Sequence, residues 1–480
     1  MLASMTIEER IDILKAKLSR IDTVDLLAAV GSKLIPMGHD GKSVADSANV
    51  FKQTDLPSPM REYLYLCGLM LSTDYDETRK IQLSASVFKE LERLVNDIAG
   101  EYLAIHVKPI VDGSALPEAA SRLSVSYAAF SSYFDTGKLN FTEQTTSKVE
   151  KLFSQFDPYF LDKLSLTTKD LIDIYKTICI LDERTIDDFF GFLSGLQSKA
   201  NEFESEIIAT GMGRDADSES LLRLLGERIS ADSRFMAKLT DVHTVKKEAL
   251  LQKFDSEKIE AFLQLFSTRR GRKNFQYYTD DNPLIRKPLV EIEDGKYFVT
   301  FQAWLAEAIY DLLNETISRI DSFAGKKGEA VEKMAFDLLQ RAFGDKAKYY
   351  RNVCEAPKTN EHDLLIVYEN YVLIVEIKGS KIRPPAFNPE KSYKAIKDHF
   401  SGPSGIGGAY KQAIKLKKLV ESSPSVTLYA SRKNPFTISA SGKKNPPNYP
   451  DAGILWESRN KHVKTNRSRR RATISLGVLS

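Results

Sequence analysis

The stretch from His362 to Gly379, HDLLIVYENYVLIVEIKG, constrains the fold more tightly than any other part of the chain. Two short apolar runs rich in branched residues, Leu364 to Val367 and Val372 to Val375, flank Tyr368-Glu369-Asn370-Tyr371, which reads as a hairpin turn. With Glu369 and Asn370 as the loop residues, antiparallel pairing sets Tyr368 opposite Tyr371. Counting outward sets Asp363 opposite Glu376. Alternation along a strand then gives Lys378 the same face as Glu376 and turns Ile377 away. Directly opposed carboxylates, with β-carbons roughly 5 Å apart, repel each other. A bound divalent cation would remove that cost.

Two acids and a lysine around one point are what metal-dependent phosphodiester cleavage requires. Hard oxygen ligands hold Mg²⁺, which keeps part of its water shell, polarises a phosphate and lowers the pKa of a bound water. A lysine beside the metal can orient that water or stabilise charge on the phosphorus. An Asp followed by Glu-x-Lys on the next strand resembles the motif of the PD-(D/E)xK nuclease superfamily, the restriction-endonuclease-like fold. Asp363 and Glu376-Ile377-Lys378 match it, and His362 stands where the family's name has proline. The resemblance implies Asp363, Glu376 and the carbonyl of Ile377 as metal ligands, with Lys378 acting on the water. The implied cofactor is Mg²⁺, with Mn²⁺ as a substitute.

The flanking helices make the match more specific than an isolated Glu-x-Lys. Upstream, Gly325 to Gly344 reads as an amphipathic helix with Val331, Ala335, Leu338 and Ala342 on its apolar stripe. Glu329 and Glu332 lie three apart and therefore on neighbouring turns. The superfamily commonly carries a metal-assisting glutamate on this helix; Glu332 is favoured and Glu329 stays open. Downstream, Gly407 to Ser422 reads as a second helix, apolar along Ala413, Leu416 and Val420. Its Gln412 resembles the accessory glutamine of several superfamily branches, nuclease-related domains among them. The resemblance spans roughly residues 322 to 430.

Charge is distributed to suit a polyanion. The net charge is only +3, yet residues 378 to 418 carry ten Lys or Arg against Glu390 and Asp398, and residues 431 to 480 carry eleven against Asp451 and Glu457. Basic segments therefore concentrate around and after the expected site. Lys411, Lys415, Lys417 and Lys418 are the expected phosphate contacts, which give affinity without sequence information. Nucleic acid, with DNA placed ahead of RNA, is the expected partner.

The remaining chain is read more coarsely. Residues 1–268 are expected to be a helical domain of unknown role, with helices over Ile7 to Ala29, Arg61 to Leu71, Glu77 to Ala99, Thr168 to Lys199 and Val242 to Phe266. Gly38 to Gly41, Asp112 to Ser114 and Gly211 to Asp217 read as loops. The basic run Arg269 to Lys273 opens an expected connector, 269–321, packed on the nuclease core and made of a hairpin over Leu289 to Thr300 and a helix from Ala303 to about Ile320. Residues 322–430 form the expected nuclease-like domain. Residues 431–480 read as a basic, mostly irregular tail.

The fold class expected is therefore multidomain, a mainly α N-terminal region followed by a C-terminal α/β domain with a mixed sheet flanked by helices. The three cysteines, Cys67, Cys179 and Cys354, are isolated and odd in number, which argues against a disulfide framework and fits a cytoplasmic setting. No window approaches the length of an apolar membrane span, and the first twenty or so residues lack the apolar core of a signal peptide. The helical region offers a surface for a homo-oligomer or a protein partner. The expected activity is that of a Mg²⁺-dependent nuclease, an endodeoxyribonuclease by preference. The alternative is a nucleic-acid-binding or assembly protein with a catalytically weak nuclease-like fold.

Overall fold

In the computed structural model the residues described are 5–34, 56, 58–135, 142–209, 238, 240–271, 273–300, 302–318, 320–359, 361–369, 371–379, 385–403, 405–439 and 476–479. The chain divides into two units: Met1–Arg319 with Pro385–Pro389, and Ile320–Pro384 with Glu390–Ser480.

The first unit is mainly helical. Its elements are α1 (Ile7–Leu18), α2 (Thr23–Leu34), α3 (Pro59–Leu71), α4 (Ala85–Val111), α5 (Pro117–Asp135), α6 (Thr142–Phe153), α7 (Asp157–Leu164) and α8 (Thr168–Ala209). There follow β1 (Thr244–Lys246), α9 (Lys247–Leu251), α10 (Ser256–Phe266), β2 (Ser267–Thr268), α11 (Pro283–Arg286), β3 (Leu289–Glu293), β4 (Lys296–Val299) and α12 (Gln302–Ser318). Among the described residues the strands form one small sheet, ordered β1-β4-β3-β2. At the chain's start, Thr6 caps α1 by a reciprocal exchange with Glu9, which satisfies two otherwise orphaned N–H donors.

Three expectations for this unit need correction. The helix expected over Ile7 to Ala29 breaks in two, because the Ser19 to Asp22 turn, which buries Ile21, ends α1 and Asp22 Oδ1 then accepts from the N–H of Val24 at 2.8 Å. The helix expected from Glu77 begins only at Ala85, after a single 3₁₀ turn. Val242 to Phe266 is not one helix: Thr244–Lys246 pairs with Lys296–Phe298 as a strand, and Lys253 and Phe254 close the short α9 before α10. The loop at Asp112-Gly113-Ser114 is present, with Gly113 at φ +71°, whereas Gly38 to Gly41 and Gly211 to Asp217 lie outside the described residues.

Of residues 269–321, read from sequence as a connector on the nuclease core, all as far as Arg319 fall within the helical unit. Phe275, Leu284, Val290, Phe298 and Trp304 share one core with α1, α3 and α4. The expected hairpin is there, Leu289 opposite Val299, followed by α12. Arg270 explains why the basic run does not end a domain. Its guanidinium donates to the carbonyls of Leu18 (2.6 Å), Ile21 (2.8 Å) and Thr73 (3.1 Å), which lie at or just past helix ends, where carbonyls lack the partners of a continuing helix.

The second unit is a three-layer α/β structure. Its elements are α13 (Asp321–Phe343), β5 (Ala347–Cys354), β6 (Glu361–Tyr368), β7 (Tyr371–Ile377), α14 (Pro389–Ser401), α15 (Ile406–Ser422), β8 (Ser425–Ala430), β9 (Asn434–Ser439) and β10 (Leu476–Leu479). The sheet is mixed, ordered β10-β7-β6-β5-β8-β9, with β10 parallel to β7 and the other pairs antiparallel. The apolar runs of β6 and β7 are continuous because both faces are covered. Leu364, Ile366, Val375 and Ile377 pack under α13, and Leu365, Val372 and Ile374 pack with Ala413, Leu416 and Val420 of α15.

Two expectations for this unit need adjustment. On α13 the expected Val331 and Ala335 do pack inward, Ala335 buried and Val331 partly so, but Phe336, Leu339 and Phe343 continue the packed stripe in place of Leu338 and Ala342, which are exposed. The tail is not wholly irregular: β9 pairs with β8 from Ser425↔Ser439 to Ala430↔Asn434, and β10 runs beside Ile374 to Ile377. Val426 and Leu428 of β8 and Ile438 of β9 join the α15-side core. Among the described residues no helix is long and apolar enough to cross a membrane.

Candidate active site on the β6–β7 hairpin

Register is fixed first by the turn. Tyr368 pairs with Tyr371, and the ladder runs to Leu364↔Val375, the register that the apolar runs imply. Glu369 takes a left-handed conformation (φ 50°), as tight hairpin turns require, and Asn370 lies outside the described residues.

Strict alternation fails just beyond Leu364. Arg351, opposite Leu364, reaches over the Phe336 ring on the α13 side, yet Val353, two residues on, is buried in the α15-side core. Residues two apart on a regular strand share a face. The intervening Asn352 has φ 52°, a conformation that asparagine tolerates better than most residues and that turns the strand over. His362, paired with Val353, turns with it.

This reversal separates the two acids that the sequence sets face to face. Glu376 is 2% exposed and its Oε1 lies 2.6 Å from Nδ1 of His362, itself 4% exposed. Asp363 does not oppose the Glu376 carboxylate. Its Oδ2 accepts the backbone N–H of Ile377 at 2.5 Å, and its charge acts on Glu332 of α13. Burial first, and then the Asp363 carboxylate, hold Glu332 above the ordinary glutamate pKa, with the Arg351 guanidinium opposing them.

The expected residues thus fall into two groups. Asp363 and half-buried Glu332 make one acid pair, while Glu329, one turn earlier, is exposed. Glu376 and His362 make the other. Lys378 is half-buried just past the end of β7, and Gln412 is half-buried on α15 next to the core residue Ala413. Lys411 and Lys418 are exposed on α15; Lys415 is bonded to Glu355 at 2.9 Å, and Lys417 faces Glu421 at 4.0 Å.

His362 and Glu355 are what sequence reasoning passed over. Nε2 of His362 stands 3.9 Å from Oε1 of Glu355, a buried oxygen without a hydrogen-bond partner, and Glu355 Oε2 accepts from Lys415. A hairpin count with strict alternation puts His362 on the face away from Glu376, so only the left-handed Asn352 could have revealed the contact.

Among the described residues no group of three or more His, Cys, Asp or Glu side chains is gathered closely enough to hold a metal ion. Two carboxylates with retained waters are nevertheless a sufficient donor set for Mg²⁺, which rarely relies on an all-protein cage. The Asp363–Glu332 pair fits that chemistry, since the repulsion that raises Glu332 is what a divalent cation would relieve.

Residues 325–433 match the family model of the nuclease-related domain, less than a quarter of the chain. No curated protein and no solved structure matches the chain. The matched segment takes in α13, the β6–β7 hairpin, α15 and β8. The match over residues 325–433 is consistent with the PD-(D/E)xK resemblance of the hairpin.

Proposed function

We propose that the protein is a Mg²⁺-dependent nuclease that hydrolyses phosphodiester bonds, with DNA as its first candidate substrate. The observation that carries this reading is the acid pair of Asp363 and Glu332 beside the Glu-x-Lys strand end, inside a segment that matches the nuclease-related domain. The cation would be held by Asp363 with Glu332, directly or through water; the Ile377 carbonyl and Glu376, the further ligands the motif implies, would join them only on release of Glu376 from His362. When bound, it would supply an activated water and charge stabilisation at the phosphate.

The chain's own groups have separable tasks. Asp363 is anchored by the Ile377 N–H, so its second oxygen is held in a defined direction. Lys378 follows β7 directly and is assigned to orienting the attacking water or neutralising charge on phosphorus. Gln412 is assigned to the water or a phosphate oxygen. Lys411 and Lys418, exposed on α15, are assigned to backbone phosphates, with Lys415 and Lys417 joining them on release from Glu355 and Glu421. Such contacts do not distinguish DNA from RNA, so both belong in the assay.

A second reading is favoured by one specific observation: Glu376 is buried and committed to His362, apart from Asp363. On that reading the domain binds nucleic acid and cuts it weakly. Asp363→Ala, Glu376→Ala and Lys378→Ala decide between the two. Each should lower the single-turnover rate by at least about 100-fold while leaving nucleic-acid affinity in EDTA within about threefold. Wild-type rates in all three variants would exclude this hairpin as the active site.

A further inference from the structure

We infer that Phe400 and Tyr410 form a stacking platform for unpaired bases, so that the nucleic acid this surface selects is single-stranded. The inference rests on the nucleic-acid reading above and narrows its substrate class.

The two faces of α15 follow from its sequence period. Ala413, Leu416 and Val420 recur at spacings of three and four and are buried in the core. At about 100° per residue, Tyr410, Lys411 and Lys418 fall together on the other side, and all three are exposed. Gly407 falls on that side as well. A β-carbon there would collide with the carbonyl oxygen of Phe400, and one at Gly405 with that of His399. These glycines therefore let the last turn of α14 press against the start of α15, which brings Phe400 to the side that carries Tyr410. Gly407 and Tyr410 are separated by about 5 Å along the axis, so the two aromatic side chains leave the backbone within roughly 10 Å of each other.

Both rings stay open to solvent, Phe400 at 44% and Tyr410 at 42% exposure. The His399 ring stands at 84° to that of Phe400, with centroids 5.3 Å apart, and steadies it without covering it. The surroundings are cationic: Lys394 and Lys397 are exposed on α14 and Lys411 and Lys418 on α15, against the exposed acids Asp398 and Glu421. That balance selects a polyanion over an apolar partner. Lysines alone attract any nucleic acid, because phosphates are common to duplex and single strand. The rings discriminate. In a duplex each base face is covered by its neighbours in the stack, so a protein ring reaches one only where the base is unpaired. Stacking of this kind tolerates any base, since every base has a π-face.

The test is binding by the full-length protein in EDTA, which separates affinity from cleavage. Labelled oligo-dT longer than about 16 nucleotides, oligo-U and a dA·dT duplex of the same length would be titrated and followed by fluorescence anisotropy. Phe400→Ala and Tyr410→Ala should each weaken binding of both single strands at least about fivefold and leave the duplex within about twofold. The slope of log affinity against log salt should stay as in wild type, because no charge is removed. Tyr410→Phe and Phe400→Trp keep a ring and should stay within about twofold of wild type on every probe. Leu at either position keeps bulk and loses the ring, and serves where an Ala variant fails to fold.

Wild-type affinity of the Ala or Leu variants for the single strands, or equal losses on single strand and duplex, would overturn the inference. So would a wild-type protein that binds the duplex more tightly than either single strand, or a Tyr410→Phe variant as weak as Tyr410→Ala, which would assign the contact to the hydroxyl. The nuclease reading fails separately: ring-dependent binding of single strands with no cleavage in Mg²⁺ or Mn²⁺ would sink that reading and leave the platform standing.

Discussion

Replacing Asp363 with Asn separates the structural role of this side chain from its proposed role toward the cation. Its carboxylate accepts the Ile377 N–H at 2.5 Å. A hydrogen bond to a charged group contributes about 1.5–3 kcal/mol and a neutral one about 0.5–1.5 kcal/mol, and the Asn carbonyl can take the same N–H, so the substitution costs about 1 kcal/mol. Removing the negative charge also relieves Glu332, but both groups are open enough to solvent that this returns only a few tenths of a kcal/mol. In EDTA the variant should therefore melt about 2–4 °C below wild type.

With Mg²⁺ the difference should widen. An ion at about 100 times its dissociation constant stabilises the folded state by about 2.7 kcal/mol, or roughly 5–10 °C for a domain of this size. Asp363→Asn should lose at least about half of that increment, together with cleavage. The assay is thermal melting by calorimetry in EDTA and in a Mg²⁺ series at matched ionic strength. Equal Mg²⁺ increments for the two proteins would refute a cation at Asp363, and a variant more stable than wild type in EDTA would refute the role given to the Ile377 N–H.

Other groups give sharper tests of single contacts. Glu332 has its pKa raised by burial and by Asp363, so the folded state loses stability as pH rises from the ordinary glutamate value through the raised one. Glu332→Gln should melt about 1–2 °C above wild type at pH 7 in EDTA, and the difference should vanish near about pH 3, where glutamate is protonated in both states. Arg270→Ala removes the guanidinium donor from the carbonyls of Ile21 and Thr73 and leaves Leu18 with the Ile21 N–H, and should cost about 3 kcal/mol in urea unfolding of the helical unit; a loss below about 1 kcal/mol would mean that water replaces the guanidinium. Replacing Lys411 and Lys418 together with Ala should make the slope of log affinity against log salt shallower by about two for duplex DNA, and an unchanged slope would take α15 out of the interface.

What could be read in advance followed from local rules. The turn at Glu369 set the register of β6 on β7, the three- and four-residue spacing of Ala413, Leu416 and Val420 set the buried face of α15, and the alternating turn and apolar signals gave the hairpin before α12. What escaped depends on single backbone conformations or on distant partners. The left-handed Asn352 carries no sequence mark, yet it turns His362 toward Glu376 and parts that acid from Asp363. Arg270 looks like part of a solvated basic run because the carbonyls it binds lie about two hundred residues or more away in sequence. Strand β9 carries few apolar residues of its own, and β10, though apolar, pairs with a strand about a hundred residues earlier in the sequence, a distant partner that no local pattern announces.

The central claim is tested most directly by incubating the purified full-length protein, and its Asp363→Ala variant, with supercoiled, linear duplex and single-stranded DNA and with RNA, in Mg²⁺, Mn²⁺ and EDTA. The nuclease reading predicts cleavage of at least one substrate by wild type in Mg²⁺ or Mn²⁺, none in EDTA, and a rate at least about 100-fold lower for the variant. Binding of the same substrates without cleavage in either metal, or cleavage by Asp363→Ala at the wild-type rate, would contradict it.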